Sequence, residues 1–301
     1  MSTGFLLAGC TAVGSALCEF GRKSLTGAGL QSGTIVALVC LIQGVVGFSG
    51  LAMLGMLSFP GVPFWFPALT SAGLSSLTAT LLTTAYSTGD MSLVAPFNAA
   101  LPVFQFFVTT FILQDESTLP PRKVLGVVVV VASSFILARK GRAAGSLLPP
   151  GAGYVLLCCA IWSFVTKFDQ MATKAAGSAV LYVAYAKFLT GVWAALGATV
   201  LSARTDAKGA GSSAAMRSLR LLFSQRRLMA ILACVAFTEG LYMGCYFAAI
   251  STVSKVYVVA IKKGGNLLVS SVGGIVIFGE KAEGRMLPVL GVVAGVALMT
   301  L

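Results

Sequence analysis

The sequence has no histidine, and only 10% of its residues are charged. Without imidazole it lacks the commonest general base and the commonest metal ligand. That excludes histidine-dependent hydrolysis and redox chemistry and histidine-built zinc sites, and we expect neither a metal nor a cofactor. No GxxxxGK[ST] loop is present, so ATP does not drive whatever the chain does. Acids are the scarcer charge, 9 Asp and Glu against 21 Lys and Arg, for a net charge of +12. No soluble basic patch interleaved with aromatics accompanies that charge, so nucleic acid is not an expected partner. The seven cysteines, Cys10, Cys18, Cys40, Cys158, Cys159, Cys234 and Cys245, lie inside apolar runs. An unbridged cysteine there behaves as a small hydrophobe, and no disulfide framework is expected. The N-terminus carries no basic n-region or small-residue cleavage site, so its first apolar stretch reads as a retained helix.

What fills the 301 residues is hydrophobic, 57% of the total. Crossing about 30 Å of hydrocarbon takes about 20 apolar residues in a helix, and runs of that length recur along the chain. They predict helices at 3–21, 33–57, 64–86, 92–113, 122–138, 152–173, 178–202, 228–250, 253–278 and 285–301. Breakers separate them at Pro60-Gly61, Gly89-Asp90, Pro120-Pro121 and Pro149-Pro150-Gly151. The long segment from Arg204 to Arg227, rich in Ala, Gly, Ser and Arg, reads as a flexible loop. The expectation is an all-α integral membrane protein of about ten transmembrane helices, multi-pass, in a plasma or organelle membrane, with the lipid bilayer as its partner.

The chain also repeats itself. Glu19-Phe20 with Ala28-Gly29 aligns with Lys167-Phe168 and Ala176-Gly177; further on, Ala85-Tyr86-Ser87-Thr88 aligns with Ala249-Ile250-Ser251-Thr252, and Glu116 with Glu280. The halves are then 3–138 and 152–301, joined by a linker at 139–151. Five helices per half is an odd number, so the second half enters the membrane in the opposite sense. Inverted repeats of this kind hold their substrate near the midplane in many secondary transporters.

Two stretches carry a family likeness. One runs from Leu93-Val94-Ala95-Pro96 through Leu101-Pro102-Val103-Phe104 to Gln114-Asp115-Glu116, with Gly126 beyond. The other runs from Val256-Tyr257 through Lys262-Lys263 to Phe278-Gly279-Glu280, with Gly291 beyond. In both, a helix ends on glutamate and a glycine-bearing helix follows, which resembles the drug/metabolite transporter superfamily of the type built from two EamA-like halves. The resemblance covers essentially the whole chain and implies ten helices and alternating access around a central site. Members usually carry arginine where this chain has Lys263, and lysine lacks the planar fork of arginine.

Charged side chains inside a span cost roughly 2.5 to 3.5 kcal/mol each at its centre and usually face a cavity or the bundle interior. Lys262 and Lys263 stand before Gly264-Gly265 and, about 100° apart on a helix, cannot aim equally at one cavity. They read either as ligands for a carboxylate or phosphate or as counter-charges to Glu239 or Asp169. Glu239, Tyr242 and Tyr246 share a helix face. That face reads as a cavity wall, or else Gly240 and Gly244 form a close helix contact there. Lys167, Asp169 and Glu19 lie toward helix ends, where snorkelling to the interface is the alternative to a site role. Asn98, Gln105 and Asn266 complete the candidate substrate site; Pro96 and Pro102 free backbone carbonyls beside them. Glu116 and Glu280 read as structural.

The leading expectation is a secondary transporter that moves a small polar or anionic metabolite, bound near the midplane between the two repeats. A proton-coupled exporter of amino acids, amines or drugs is the alternative; a channel or scaffold ranks below both. No intramembrane nucleophile or metal constellation suggests an enzyme, and a homodimer is an open possibility. Loop charge gives 13 basic residues on one side, six of them in the Arg204–Arg227 loop, against Arg122, Lys123, Lys174 and Lys255 on the other. By the positive-inside rule this places both termini outside, whereas the family likeness implies both inside. The two orientations stand side by side.

Overall fold

The computed structural model describes residues 2–101, 104, 108, 125–126, 128–130, 132–133, 136, 148–206, 214–252, 255–280, 284 and 286–300. Among them every regular element is helical: α1 (Ser2–Gly27), α2 (Ser32–Met53), α3 (Val62–Thr88), α4 (Met91–Val94) running into a 3-10 segment (Ala95–Ala100), α5 (Ala152–Ala176), α6 (Ala179–Asp206), α7 (Ala214–Ser224), α8 (Arg226–Thr252), α9 (Lys255–Phe278) and α10 (Met286–Thr300). Nine of the ten expected helices coincide with or overlap these elements. The fifth, 122–138, falls largely outside the described residues, as do most of 101–113, Glu116 and the greater part of the 139–151 linker.

Six of these helices, in α1, α2, α5, α6, α8 and α9, are long and apolar enough to cross a membrane. At 1.5 Å per residue, 18 to 25 residues rise about 27 to 38 Å. α3 spans 27 residues but carries Ser or Thr at 70, 71, 75, 76, 78, 80, 83, 84, 87 and 88, and it is not among the six.

The chain divides into two compact units. Unit 1 comprises Met1–Phe20, Thr84–Ala160 and Thr238–Leu301; unit 2 comprises Gly21–Thr83 and Ile161–Phe237.

In unit 1, small residues let helices approach. A Cβ on Gly265 would come within 2.7 Å of the Ala12 methyl, and one on Gly14 within 2.7 Å of the Tyr242 Cβ. One on Gly273 would run into the Phe20 ring. Gly240 and Gly244 would meet nothing within 4 Å, so the close approach to α8 is made at Tyr242 by Gly14. Two further glycines serve the α3–α4 junction: Gly151 (φ +86) lies against the Ala85 carbonyl, and a Cβ on Gly89 would strike the Pro150 carbonyl.

The short α4 has its exposed first-turn donors met from a distance in sequence. Glu280 Oε1 accepts the Met91 N–H at 2.6 Å and Oε2 the Ser92 N–H at 2.8 Å. A carboxylate there answers both the orphan donors and the positive end of the helix. Gly274 leaves the room, since a Cβ would lie 2.6 Å from Oε2. Glu280→Ala should therefore cost about 1–2 kcal/mol, with Glu280→Gln between it and the parent, as thermal unfolding in detergent would measure.

In unit 2, α2 and α6 interlock through glycine. A Cβ on Gly44 would come within 2.7 to 2.8 Å of the Phe188 backbone, and one on Gly191 within 2.8 Å of the Leu41 nitrogen. The Arg204–Arg227 segment, expected as a flexible loop, contains α7. Ala215, Ser218 and Leu222 are buried at i, i+3 and i+7 while Arg217 and Arg220 are exposed, which is the pattern of an amphipathic helix. Ser218 Oγ accepts the N–H of Gln31, the residue before α2, at 3.0 Å.

Candidate functional site

Unit 1 contains a continuous buried polar network. Glu19, on α1, is only 9% exposed. Its Oε1 accepts from Asn266 Nδ2 at 3.1 Å and its Oε2 from Ser270 Oγ at 2.8 Å, both on α9. The Tyr86 hydroxyl, on α3, accepts from Asn98 Nδ2 at 2.8 Å and interacts electrostatically with Glu19. Snorkelling is thus not the fate of Glu19; it is the hub of the network.

Asn98 gives its NH2 to the Tyr86 oxygen. That leaves Asn98 Oδ1, on a side chain 8% exposed, with no partner among the described residues. Beside it, Cys159 Sγ lies 3.8 Å from the Phe97 carbonyl.

The two adjacent lysines diverge as helix geometry requires. Lys262 Nζ stands 4.6 Å from the Tyr246 ring centroid and 5.1 Å from that of Tyr242, within cation–π range. Lys263 interacts electrostatically with Cys159 and Glu19. At the helix period Asn266 and Ser270 fall between the two lysines, about 40° and 80° round from Lys262. One arc of α9 therefore carries every polar group it contributes to the network. Glu239 is buried on α8 at 4% exposure.

Eight of the eleven expected site residues, Lys262, Lys263, Glu239, Tyr242, Tyr246, Glu19, Asn98 and Asn266, thus lie in unit 1. Lys167 and Asp169 lie in unit 2, Lys167 exposed and Asp169 half-buried. Gln105 lies outside the described residues. Among the described residues no three His, Cys, Asp or Glu are grouped to hold a metal.

No family model matches the chain, and no curated protein matches it. A crystal structure of another protein is similar over 96% of this chain and 95% of its own, with a TM-score of 0.55 and 15% identity. At that identity the likeness is one of fold alone.

Tyr86, Ser270 and Cys159 were not among the expected site residues. Ser270 had a readable signal, being one turn beyond Asn266 on the same face. Tyr86 stood in the sequence only as a repeat marker, and nothing in its neighbours distinguished it from a packed aromatic.

Proposed function

We propose that the chain is a secondary transporter of the drug/metabolite transporter superfamily. In this reading it has ten membrane helices in two inverted five-helix halves and moves a small polar or anionic metabolite by alternating access, with the substrate near the midplane. The observation that carries the reading is a buried carboxylate, Glu19, bonded by Asn266 and Ser270 between α1 and α9, two helices long and apolar enough to cross a membrane, with the Tyr86–Asn98 pair in the same unit and Lys263 coupled to Glu19 electrostatically. Polar groups in hydrocarbon cost several kcal/mol unless paired, and a fold assembles an acid, a base and an orphan acceptor there at the expense of stability. Such groupings mark solute or ion pathways. Lys263 favours an anionic substrate group. The carboxyls Glu19, Glu239 and Asp169 favour the second reading, a proton-coupled exporter of amino acids, amines or drugs.

The test is uptake and counterflow in proteoliposomes with a panel of anions, amines, amino acids and nucleotide sugars, comparing Lys262→Ala, Lys263→Ala and Glu239→Gln. For an anionic substrate, Lys263→Ala should weaken apparent affinity about tenfold or more, equivalent to about 1.4 kcal/mol for one lost charged contact. Unchanged affinity in all three variants would overturn the site, and flux without competition or trans-stimulation for any solute would overturn the carrier.

A further inference from the structure

Unit 2 holds a second polar cluster, built from residues that the first network does not use. The α5–α6 connection is two residues long, Gly177 at φ +69 and Ser178, so the helices form a tight hairpin. Across it Tyr182 on α6 faces Asp169 on α5, and α3 lies alongside with Ser71. The Tyr182 hydroxyl and the Ser71 hydroxyl both donate to the same carboxylate oxygen, Asp169 Oδ1. The two hydroxyl oxygens are 3.3 Å apart. Ser71 is 2% and Tyr182 8% exposed, and Phe64, Ala68 and Ala172 pack around them.

The other oxygen, Oδ2, has no hydrogen-bond partner among the described residues, and no lysine or arginine among them pairs with Asp169. α3 carries no acid or base at all. α6 presents Tyr182 and Tyr185 and carries a partly buried Lys187 further along; the Tyr185 hydroxyl donates to the Ser58 carbonyl at 3.2 Å. On α5 itself Lys167 and Lys174 are exposed. Asp169 nonetheless lies within a span-length apolar helix, seven residues from its end, about 10 Å of rise.

We propose that Asp169, with Ser71 and Tyr182, is a reversible proton-binding site. The proton adds to Oδ2 from water and leaves by the same bond, while both hydroxyls stay on Oδ1. Geometry makes the site switchable. Two donors on one oxygen hold the anion, while Oδ2, with no partner among the described residues, is open to a proton. Four side-chain oxygens, Oδ2 included, are also fewer than a hard metal cation takes, since such ions gather six or more. That this proton drives transport rests on the transporter reading; that the site binds a proton does not.

The experiment is infrared difference spectroscopy on the full chain in lipid nanodiscs, stepping from acidic to alkaline buffer and following the protonated-carboxyl C=O stretch. Wild type should show a reversible band that Asp169→Asn removes. Tyr182→Phe and Ser71→Ala should each raise the midpoint by about one pH unit, a tenfold gain in proton affinity, because each removes a donor to the anion. A band unaltered in Asp169→Asn, or midpoints unmoved in both hydroxyl variants, would overturn the proposal. So would a midpoint pulled strongly down by sodium relative to a bulky organic cation at equal ionic strength, which would make this a metal-ion site. If Asp169→Asn does not fold, the two hydroxyl variants decide the matter. A failed transport assay leaves the titration intact, so the two readings fail separately.

Discussion

Glu19→Ala should lower the unfolding free energy by about 1–2 kcal/mol and, on the transporter reading, abolish transport. The substitution removes the acceptor of Asn266 Nδ2 and one of the two acceptors of Ser270 Oγ, which keeps Asn266 Oδ1 at 3.0 Å. A buried donor left unmade costs about 1–3 kcal/mol. We take the low end for each, because polar pairs within membrane helices measure nearer ~0.6 kcal/mol in double-mutant cycles. Glu19→Gln keeps the size and one acceptor oxygen but brings an NH2 against a donor, so a loss of about 1 kcal/mol is expected. Reversible SDS unfolding followed by tryptophan fluorescence would rank the variants. An alanine variant within about 0.5 kcal/mol of wild type, the scatter of inconsequential surface changes, would mean that the network does not hold these helices.

The positions of the helices were largely legible because hydropathy over about 20 residues is a strong signal. The expected 152–173 and 228–250 became α5 and α8 with ends shifted by at most three residues. α7 was hidden for a physical reason: its buried face is Ala215, Ser218 and Leu222, of which only Leu222 reads as strongly apolar. Its order comes from packing and from Ser218 meeting the Gln31 N–H, neither of which a local window contains. The 3-10 turn after α4 was likewise read as plain helix, because Pro96 fits either form.

For the site, charge in an apolar run was a sufficient pointer to Glu19, Lys262, Lys263 and Asp169. Hydroxyls were not. In α3 most of them are absorbed by their own helix: Thr70 bonds to the Phe66 carbonyl, Ser76 to Gly73, Thr83 to Ala79 and Ser87 to Thr84. Only tertiary structure shows that Ser71, one residue from Thr70, turns to Asp169 instead. The same holds for Tyr86 and Tyr182: each is a buried tyrosine whose hydroxyl meets a side chain on another element, Asn98 and Asp169, and no residue nearby in sequence announces the partner.

The glycines give the sharpest contrast between sequence and structure, and a prediction follows from it. By spacing, Gly240 and Gly244 form a small-xxx-small pair, and seating a neighbouring helix is one of the two readings of that face. Yet a methyl at either meets nothing within 4 Å, while one on Gly265 would sit 2.7 Å from Ala12. Gly265→Leu should therefore drive α9 from α1. Overpacking by a few methylenes typically costs about 1–3 kcal/mol. Here the displacement also acts on the residue next in the chain: Asn266 and, one turn on, Ser270 reach Glu19 at 3.1 and 2.8 Å. Hydrogen bonds of that length do not survive an ångström-scale shift. A total loss of about 3 kcal/mol is expected, with transport falling as in Glu19→Ala. Gly240→Ala and Gly244→Ala should instead leave stability unchanged or raise it by up to about 1 kcal/mol through helix propensity. Were Gly265→Leu tolerated and the α8 pair costly, the α1–α9 seam would not be what positions the carboxylate. Gly265→Ala separates the two contributions: its single methyl disturbs the packing while moving α9 least, so a variant that loses stability yet keeps substrate affinity would place the seam in folding alone.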